Sequence, residues 1–178
     1  MEPNQPSDPP STRHFRGLVL VSTPIGNLGD LAPRAVAALQ DAEIVLCEDT
    51  RVTARLLARY SVSAALQILH DHNEDAAVTK WLARLEAGAR IALVSDAGTP
   101  LVSDPGYRLV RAAIAAGVSV TAIPGPNAAV TALTLSGLPP HPFLFHGFLP
   151  AKDGPRAADI ARIAGLEAQG LAVTHLFY

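Results

Sequence analysis

The sequence is poor in cysteine, in charged residues and in long apolar runs. Its single cysteine, Cys47 among 178 residues, excludes an internal disulfide framework and a cysteine-based zinc cluster, and it predicts a reduced, cytoplasmic setting. Lysine and arginine number 14 against 16 acidic residues, so the chain cannot hold nucleic acid chiefly by coating its phosphates. Any RNA partner must be contacted locally. No apolar run approaches the roughly 18 residues of a membrane span, which predicts a protein without a membrane partner.

Apolar residues make up 49% of the chain, which is ample for a buried core. The length fits one domain, or one domain and part of another. Residues 1–17 carry four prolines and lack the hydrophobic stretch of a signal peptide. We expect this segment to be a flexible N-terminal tail.

Short β-rich runs alternate with segments of helical period from residue 17 onward, which is typical of βαβ units on a parallel sheet. Five strands are predicted, at residues 18–22, 44–47, 67–70, 90–95 and 118–123. Their continuous apolarity indicates strands that helices cover on both faces. The predicted fold class is α/β, a five-stranded mainly parallel sheet flanked by helices.

Three helices are marked by their capping residues and apolar period. Their predicted limits are an Asn73 cap to Gly88, an Asp104 cap with Pro105 as first residue to Gly117, and Pro126 to near Gly137. The second is expected to bury Val110, Ala113 and Ile114. Turn statistics also favour Asp30 and Thr50 as simple helix caps.

Three prolines between residues 139 and 142 cannot continue a helix and predict a stiff linker. The N-terminal α/β domain then spans residues 18–138. Beyond the linker, residues 143–178 offer a strand at 143–148, one helix and a last β-run at 171–178. Because this is too little to bury a second core, we expect the incomplete start of a C-terminal α/β domain.

Polar and glycine-rich loops follow all five predicted strands, whereas the opposite turns carry little chemistry. Because the carboxyl ends of parallel strands meet at one edge of a sheet, these loops are expected to line one cleft. The loop from Ser95 to Gly106 is longer than the 2 to 6 residues usual for such a connection, which indicates a functional loop. Asp96 offers a carboxylate at the start of this loop.

Several common sites are excluded by their missing motifs. The sequence has no G-x-G-x-x-G, no P-loop and no G-x-S-x-G elbow, so dinucleotide, nucleotide-phosphate and hydrolase interpretations are disfavoured. His70 and His72 lack a third convergent ligand, and no metal site is predicted.

Six segments, in order and spacing, resemble the ribosomal RNA small subunit methyltransferase I family of the tetrapyrrole methylase fold. They are T-P-I-G-N-L at 23–28, E-D-T-R at 48–51, H-N-E at 72–74, S-D-A-G-T-P at 95–100 with D-P-G at 104–106, P-G-P-N at 124–127, and F-H-G-F-L-P at 145–150. The resemblance implies transfer of a methyl group from S-adenosyl-L-methionine to the ribose 2'-hydroxyl of a cytidine in 16S rRNA of the small ribosomal subunit. It also implies a two-domain homodimer with the cofactor between the domains.

Given this resemblance, the chemistry of methyl transfer leads to a hypothesis about the loops after the strands. Glu48, Asp49 and Arg51 are the candidate catalytic residues, facing the ribose and phosphate, with Glu48, Asp49 or Asp96 as proton acceptor. Arg13, Arg16, Arg51 and Arg55 are the basic residues expected near the RNA. The expected cofactor-binding residues are Pro24, Gly26, Asn27, Asp96, Ala97, Gly98, Thr99, Pro100, Pro124, Gly125, Pro126 and Asn127.

Two alternatives stay open at this point. The chain could methylate a small tetrapyrrole, which its weak basicity would permit. It could also be a truncated, non-catalytic module that binds adenosylmethionine without turnover.

Overall fold

A computed structural model describes residues 15–69, 74–168 and 173–178. Five parallel strands form one sheet in the order β3-β2-β4-β1-β5. The strands are β1 Gly17–Val21, β2 Ile44–Cys47, β3 Ala65–Ile68, β4 Arg90–Val94 and β5 Val120–Ile123. The predicted α/β fold class is therefore confirmed, although every strand of the described sheet is parallel.

Helices cover both faces of the central strands. The helices are α1 Pro33–Asp41, α2 Thr50–Arg59, α3 Glu74–Glu86, α4 Tyr107–Ala115 and α5 Ala128–Leu135, with a short 3-10 helix at Leu28–Asp30. Helices α1 and α2 pack on one face around Val19, Val45 and Leu57. Helices α3 and α4 pack on the other face around Leu18, Trp81 and Leu109.

The two edge strands depart from the prediction. The third strand lies at Ala65–Ile68 rather than at residues 67–70, and His70 falls outside the described residues. Continuous apolarity predicted burial on both faces, and β1, β2 and β4 are buried, but β3 and β5 are largely exposed. At both edges of the sheet the helices leave part of the strand uncovered. An apolar run therefore predicts a strand, but it does not predict whether helices bury both faces of that strand.

The start of α4 corrects the predicted cap. Asp104 and Pro105 precede the helix, and the N-cap is Gly106 with φ +116. A Cβ at Gly106 would lie 2.4 Å from Leu93 Cδ2, so the close approach requires glycine. Leu109 and Ala113 face the core, while Ile114, about 100° farther around the helix, is 62% exposed.

Two other predicted caps also differ from the structure. Asp30 lies at the end of the 3-10 helix, and Ala32 is the N-cap of α1. Thr50 is the first residue of α2, and Asp49 caps it. Asn73, the expected cap of α3, lies outside the described residues. A proline in the first turn sets the start of α1. The Asp49 side chain, which accepts a free amide of the first turn, sets the start of α2.

A second, two-stranded parallel sheet follows the proline-rich segment. It comprises β6 Phe143–Phe145 and β7 Thr174–Leu176, joined by helix α6 Asp153–Ala168. The peptide bond between His141 and Pro142 is cis. The predicted strands at 143–148 and 171–178 are thus present in shorter form, with residues 171–172 outside the described part. The assignment of residues 143–178 to a second domain stays a prediction.

Candidate functional site

The carboxyl ends of β1 and β4 lie side by side at the centre of the sheet. The chain leaving β1 crosses to α1 on one face, and the chain leaving β4 crosses to α4 on the other. Right-handed crossovers toward opposite edges require opposite faces, which makes this pair of strands a topological switch point. Ligands of open α/β sheets bind at such a point, outside the carboxyl ends of the strands.

The loops after β1 and β4 are joined by an antiparallel bridge between Thr23 and Gly98. The Thr23 amide donates to the Gly98 carbonyl at 2.8 Å, and the Gly98 amide donates back to the Thr23 carbonyl at 3.1 Å. Thr23 Oγ1 donates to the Ser95 carbonyl and Ser95 Oγ donates to the Gly98 carbonyl, both at 3.0 Å. This Thr23–Gly98 bridge, with buried hydroxyls on both loops, fixes the centre of the site.

The flank of the bridge toward β5 is held together by Thr99. Ser22 Oγ donates to Thr99 Oγ1 at 3.3 Å, Asn127 Nδ2 donates to the same oxygen at 3.4 Å, and Thr99 Oγ1 donates to the Pro126 carbonyl at 3.0 Å. We call these four residues the Thr99 network. It connects the loops after β1, β4 and β5 through neutral groups only.

Backbone contacts tighten the same flank. A Cβ at Gly125 would lie 2.9 Å from the Ser22 Cβ, so the main chain of the loop after β5 passes directly against Ser22. Asn127 also caps α5, because its Oδ1 accepts the Val130 amide at 3.0 Å. Asn127 therefore couples the start of a helix to the Thr99 network.

The flank toward β2 is built from charged groups. The Asp49 amide donates to Asp96 Oδ1 at 3.2 Å, which joins the loops after β2 and β4. Asp49 Oδ1 caps α2 by accepting the Arg51 amide at 2.8 Å, and Arg51 Nη2 lies 2.6 Å from Asp49 Oδ2. The guanidinium beside it lowers the pKa of the Asp49 carboxyl from 3.8 to about 2. Asp49 is thus held ionised and bound to Arg51.

A cavity of about 280 Å³ opens on this charged flank. It lies between the loops after β1 and β4, the 3-10 helix and α2. The Tyr60 hydroxyl donates to the Leu28 carbonyl and so anchors the 3-10 helix to the end of α2. We call it the β2-side cavity, and it is lined by Thr23, Pro24, Leu28, Val52, Thr53, Arg55, Leu56, Ser95 and Asp96.

The structure brings many of the expected site residues together. Asp96, Gly98 and Thr99 share the loop after β4 with Ala97 and Pro100, and Pro124, Gly125, Pro126 and Asn127 follow β5. Pro24 lines the β2-side cavity. Gly26 and Asn27 are exposed, and Asn27 Oδ1 accepts the Gly29 amide as a local cap. Within the described residues, these last two form no hydrogen bond with the loops after β4 and β5.

The candidate catalytic residues differ in their surroundings. Asp49 and Arg51 form one ion pair, with Arg51 85% exposed. Glu48 is exposed and forms no hydrogen bond or ion pair within the described chain. Their assignment as catalytic residues stays a prediction.

Sequence reasoning missed the buried hydroxyls that organise the site. Ser22, Thr23 and Ser95 are 4%, 1% and 3% exposed. The Ser22 and Thr23 hydroxyls join loops that are far apart in the sequence, and the Ser95 hydroxyl closes its own loop on the Gly98 carbonyl. A serine or threonine directly after an apolar strand was the available signal. Val52 and Leu56, which wall the β2-side cavity, are not among the predicted site residues.

The second sheet lies against the long loop after β4. A Cβ at Gly147 would lie 3.1 Å from Ser103 Oγ, and the Tyr178 amide donates to the Gly147 carbonyl at 2.9 Å. Burial, and secondarily the charge of Asp104, raises the pKa of Tyr178. The chain beyond the linker therefore borders the loop that carries Asp96 to Pro100.

Two kinds of site are not found in the part of the chain that the structure describes. Residues 15–69, 74–168 and 173–178 contain no group of three or more potential metal-ligating side chains. No helix within the same ranges has the length and apolarity to cross a membrane.

Cys47 is buried at the end of β2, and burial raises the pKa of its thiol.

Curated relatives of this chain are rRNA-modifying proteins by name. The protein "Ribosomal RNA small subunit methyltransferase I" of Xylella fastidiosa (strain Temecula1 / ATCC 700964) is 51% identical over 155 residues, which are 87% of this chain and 55% of that protein. Those of Mesorhizobium japonicum and Escherichia coli O157:H7 are 54% and 53% identical, over 85% and 76% of this chain and 50% and 47% of theirs. The chain spans about half the length of these relatives.

Solved structures support the same fold. A uroporphyrin-III-C-methyltransferase from Thermus thermophilus superposes with a TM-score of 0.52 at 28% identity, covering 68% of this chain and 52% of that one. A cobalamin synthesis related protein (CobF) from Corynebacterium diphtheriae gives 0.51 at 14% identity over 75% and 63%, a likeness of fold alone. The sequence profile of the Tetrapyrrole (Corrin/Porphyrin) Methylases matches residues 17–173. With its parallel sheet and its loops gathered at the switch point, this chain belongs to the tetrapyrrole methylase family.

Proposed function

We propose that this chain belongs to an S-adenosyl-L-methionine-dependent methyltransferase that acts on the ribose 2'-hydroxyl of a cytidine in 16S rRNA. The loops at the carboxyl ends of its parallel strands form one side of the active site. The names of relatives about 50% identical support an RNA substrate in the small ribosomal subunit, and a cytoplasmic location is part of the same proposal. The observation that carries the proposal is the contrast at the switch point. A cradle of neutral groups lies on one side of the Thr23–Gly98 bridge, and a largely apolar cavity that contains Arg55 and Asp96 lies on the other.

The cofactor fits the neutral flank. Ala97, Pro124 and Gly125 are exposed in the loops that the Thr99 network joins, and the close approach of Gly125 to the Ser22 side chain leaves no room for a further side chain there. When bound, the cofactor supplies a methyl group on a positively charged sulfur. The protein's contribution is to hold the acceptor oxygen in line with that methyl, since alignment is worth up to about 7–11 kcal/mol in favourable cases.

The charged flank faces the RNA in this proposal. Arg51 is exposed and is oriented by Asp49, so its guanidinium is available to a phosphate while remaining paired. The lowered pKa of Asp49 makes it a weak proton acceptor. Glu48, which follows β2 directly and has no protein partner among the described residues, is the better acceptor for the ribose hydroxyl proton.

Exchange of these carboxylates in a protein of the relatives' full length separates their roles. Glu48→Gln is expected to lower kcat about 10²- to 10⁴-fold, the usual worth of a general base. Asp49→Asn keeps a good helix cap and is expected to cost much less. Equal losses in the two variants would contradict this division.

The overall proposal is tested by transfer of labelled methyl to small ribosomal subunits that lack the modification. Label on the 2'-oxygen of a cytidine is the expected result. The structural likeness to a uroporphyrin methyltransferase makes a tetrapyrrole the second candidate substrate. Label on a tetrapyrrole and none on RNA would favour that candidate, whereas cofactor binding without any transfer would indicate a non-catalytic module.

We also propose that the protein acts as a homodimer. Helix α5 and the residues after it leave large apolar side chains uncovered, with Leu135 82% and Leu138 56% exposed. Such side chains are enriched where a surface has a partner. Sedimentation equilibrium of the full-length protein checks this, and a monomer at micromolar concentration would contradict it.

A further inference from the structure

Two polar side chains in the β2-side cavity have unused hydrogen-bonding capacity. Arg55 lines the cavity from α2 and forms no hydrogen bond or ion pair within residues 15–69, 74–168 and 173–178. Asp96 lines it from the loop after β4, and its Oδ1 accepts the Asp49 amide. No donor to Asp96 Oδ2 is found in the same ranges. A guanidinium and a carboxylate oxygen are thus both open to a ligand.

The apolar walls of the cavity come from two elements, and the hydroxyl residues Thr23, Thr53 and Ser95 complete its lining. Leu28 projects from the 3-10 helix and is 49% exposed, while Val52 projects from α2 and is 38% exposed. Pro24 and the buried Leu56 complete this surface. Aliphatic side chains from two elements, together with a guanidinium and a carboxylate in the same lining, suit a flat ligand with apolar faces and a polar edge.

The size of the cavity limits that ligand. Its volume of about 280 Å³ is at the small end of ligand pockets, which run from about 300 to 1,000 Å³. A single nucleobase fits such a space. A four-ring macrocycle does not fit inside the same walls.

The charges of the cavity favour one kind of base edge. A carboxylate accepts from an exocyclic amine, and a guanidinium donates to ring nitrogen or carbonyl acceptors. Cytosine has an amine next to such acceptors, at N4, N3 and O2. Uracil presents a carbonyl oxygen where cytosine has its amine, and this oxygen would face the carboxylate without a hydrogen bond.

We propose that the β2-side cavity binds the base of the target cytidine, with Arg55 donating to the acceptors of its edge and Asp96 accepting from its amine. This inference rests on the proposed function and adds a recognition site to it. RNA-modifying proteins commonly read single nucleotides that are splayed out and held between side chains in this way. Thr23 and Ser95 line the cavity and also belong to the Thr23–Gly98 bridge, so the base is bound next to the cofactor cradle.

The test uses a protein of the relatives' full length and compares Arg55→Ala with Arg59→Ala. Arg59 lies one turn later on α2, is exposed and does not line the cavity. Small ribosomal subunits carrying the target cytidine, or uridine at that position, are the substrates. Arg55→Ala is expected to raise KM for the RNA roughly 5- to 150-fold and to reduce the preference for cytidine over uridine. Arg59→Ala is expected to leave both within about twofold.

If the unaltered protein transfers methyl to the RNA, the proposed function stands, and three outcomes for the variants would still overturn this inference. Arg55→Ala could behave like Arg59→Ala, or keep the full preference for cytidine. It could also raise KM for adenosylmethionine alone, which would assign the cavity to the cofactor.

A binding measurement separates this inference from the failure of the proposed function. Cytidine 5'-monophosphate and uridine 5'-monophosphate are titrated into the same proteins and followed by NMR. Preferential binding of the cytidine nucleotide, lost in Arg55→Ala and in Val52→Trp, which fills the cavity, is expected whether or not methyl is transferred. Equal binding of both nucleotides, or binding unchanged by both variants, would overturn the inference.

Discussion

The two flanks of the Thr23–Gly98 bridge are built from different chemistry. On the β5 flank, Ser22, Thr99, Pro126 and Asn127 hydrogen-bond to one another through neutral groups. On the β2 flank, charged groups surround a cavity, and one of them, Arg55, has no partner within the described residues. The first flank satisfies its own polar groups, whereas the second leaves hydrogen-bonding capacity for a ligand.

We infer from this difference that the β5 flank holds the loops of the site in place, whereas the β2 flank recognises the substrate. Hydrogen bonds among partly buried groups hold the loops of the β5 flank in place before any ligand arrives, so little ordering is left to do on binding. The exposed cations of the β2 flank contribute little to folding, because water screens them. Substitutions on the β5 flank should therefore lower stability, and those on the β2 flank should change recognition.

The largest effect on stability is expected from Thr99→Val. The substitution keeps the shape of the side chain and removes one donated and two accepted hydrogen bonds, which leaves partly buried partners unsatisfied. A loss of about 1–3 kcal/mol in the free energy of unfolding is expected from urea denaturation.

The control for this variant is Thr134→Val. Thr134 is exposed on α5, and its hydroxyl donates only to the Thr131 carbonyl within the same helix. Its loss should stay within about 0.5 kcal/mol. If the two variants lose the same stability, the Thr99 network does not hold the flank together.

A smaller effect is expected from Asp49→Ala on the other flank. Asp49 caps α2, and removing an N-cap costs about 0.5–2 kcal/mol. Asp49→Asn keeps the cap and should be within about 0.5 kcal/mol of the unaltered protein in the same denaturation experiment. A large loss in both variants would mean that the ion pair with Arg51, rather than the cap, stabilises this flank.

The order of elements and the fold class could be predicted from the sequence because both depend on local apolar patterns. The strand at Ile44–Cys47 matches its predicted limits, β4 ends one residue earlier than predicted, and β1 is shifted by one residue at both ends. The helix before β4 buries Trp81 and Leu85 as its period predicted. In these strands and in this helix, which pack in the central sheet or against it, the limits or buried residues agree with the local apolar pattern.

What could not be predicted depends on contacts between distant segments. The cap of α4 moved from Asp104 to Gly106 because the backbone there passes against Leu93, a residue of β4. The Thr99 network joins residues up to 77 positions apart, and no local signal marks Thr99 as its centre. The pairing of Asp49 with Arg51 removes the freedom that made Asp49 a plausible proton acceptor.

Almost no effect on stability is expected from Arg55→Ala. Its guanidinium has no partner among the described residues, so its removal breaks no hydrogen bond there, and a change within about 0.5 kcal/mol is expected. Urea denaturation of this variant beside Thr99→Val measures the contrast between the flanks directly. A loss above 1 kcal/mol would show that the charged flank supports the fold as well.

The smallest expected effect is on the pH dependence of the β2 flank. Because the pKa of Asp49 is lowered from 3.8 to about 2, its ionised form is favoured by folding. This contribution is complete above pH 3.8 and is lost as the pH falls through about 2, so it is constant across the neutral range. A carbon-detected NMR titration of the Asp49 carboxyl should give a midpoint near 2.

In Arg51→Ala this midpoint should rise toward 3.8 without reaching it, because the backbone amides at positions 51 and 52 still donate to the carboxylate. Arg55→Ala, on the same helix, should leave the midpoint unchanged, since Arg55 is not among the groups that lower the pKa of Asp49. An equal rise in both variants would indicate a diffuse positive field rather than a specific pair. The specific pairing with Arg51 would then no longer support the choice of Glu48 over Asp49 as proton acceptor.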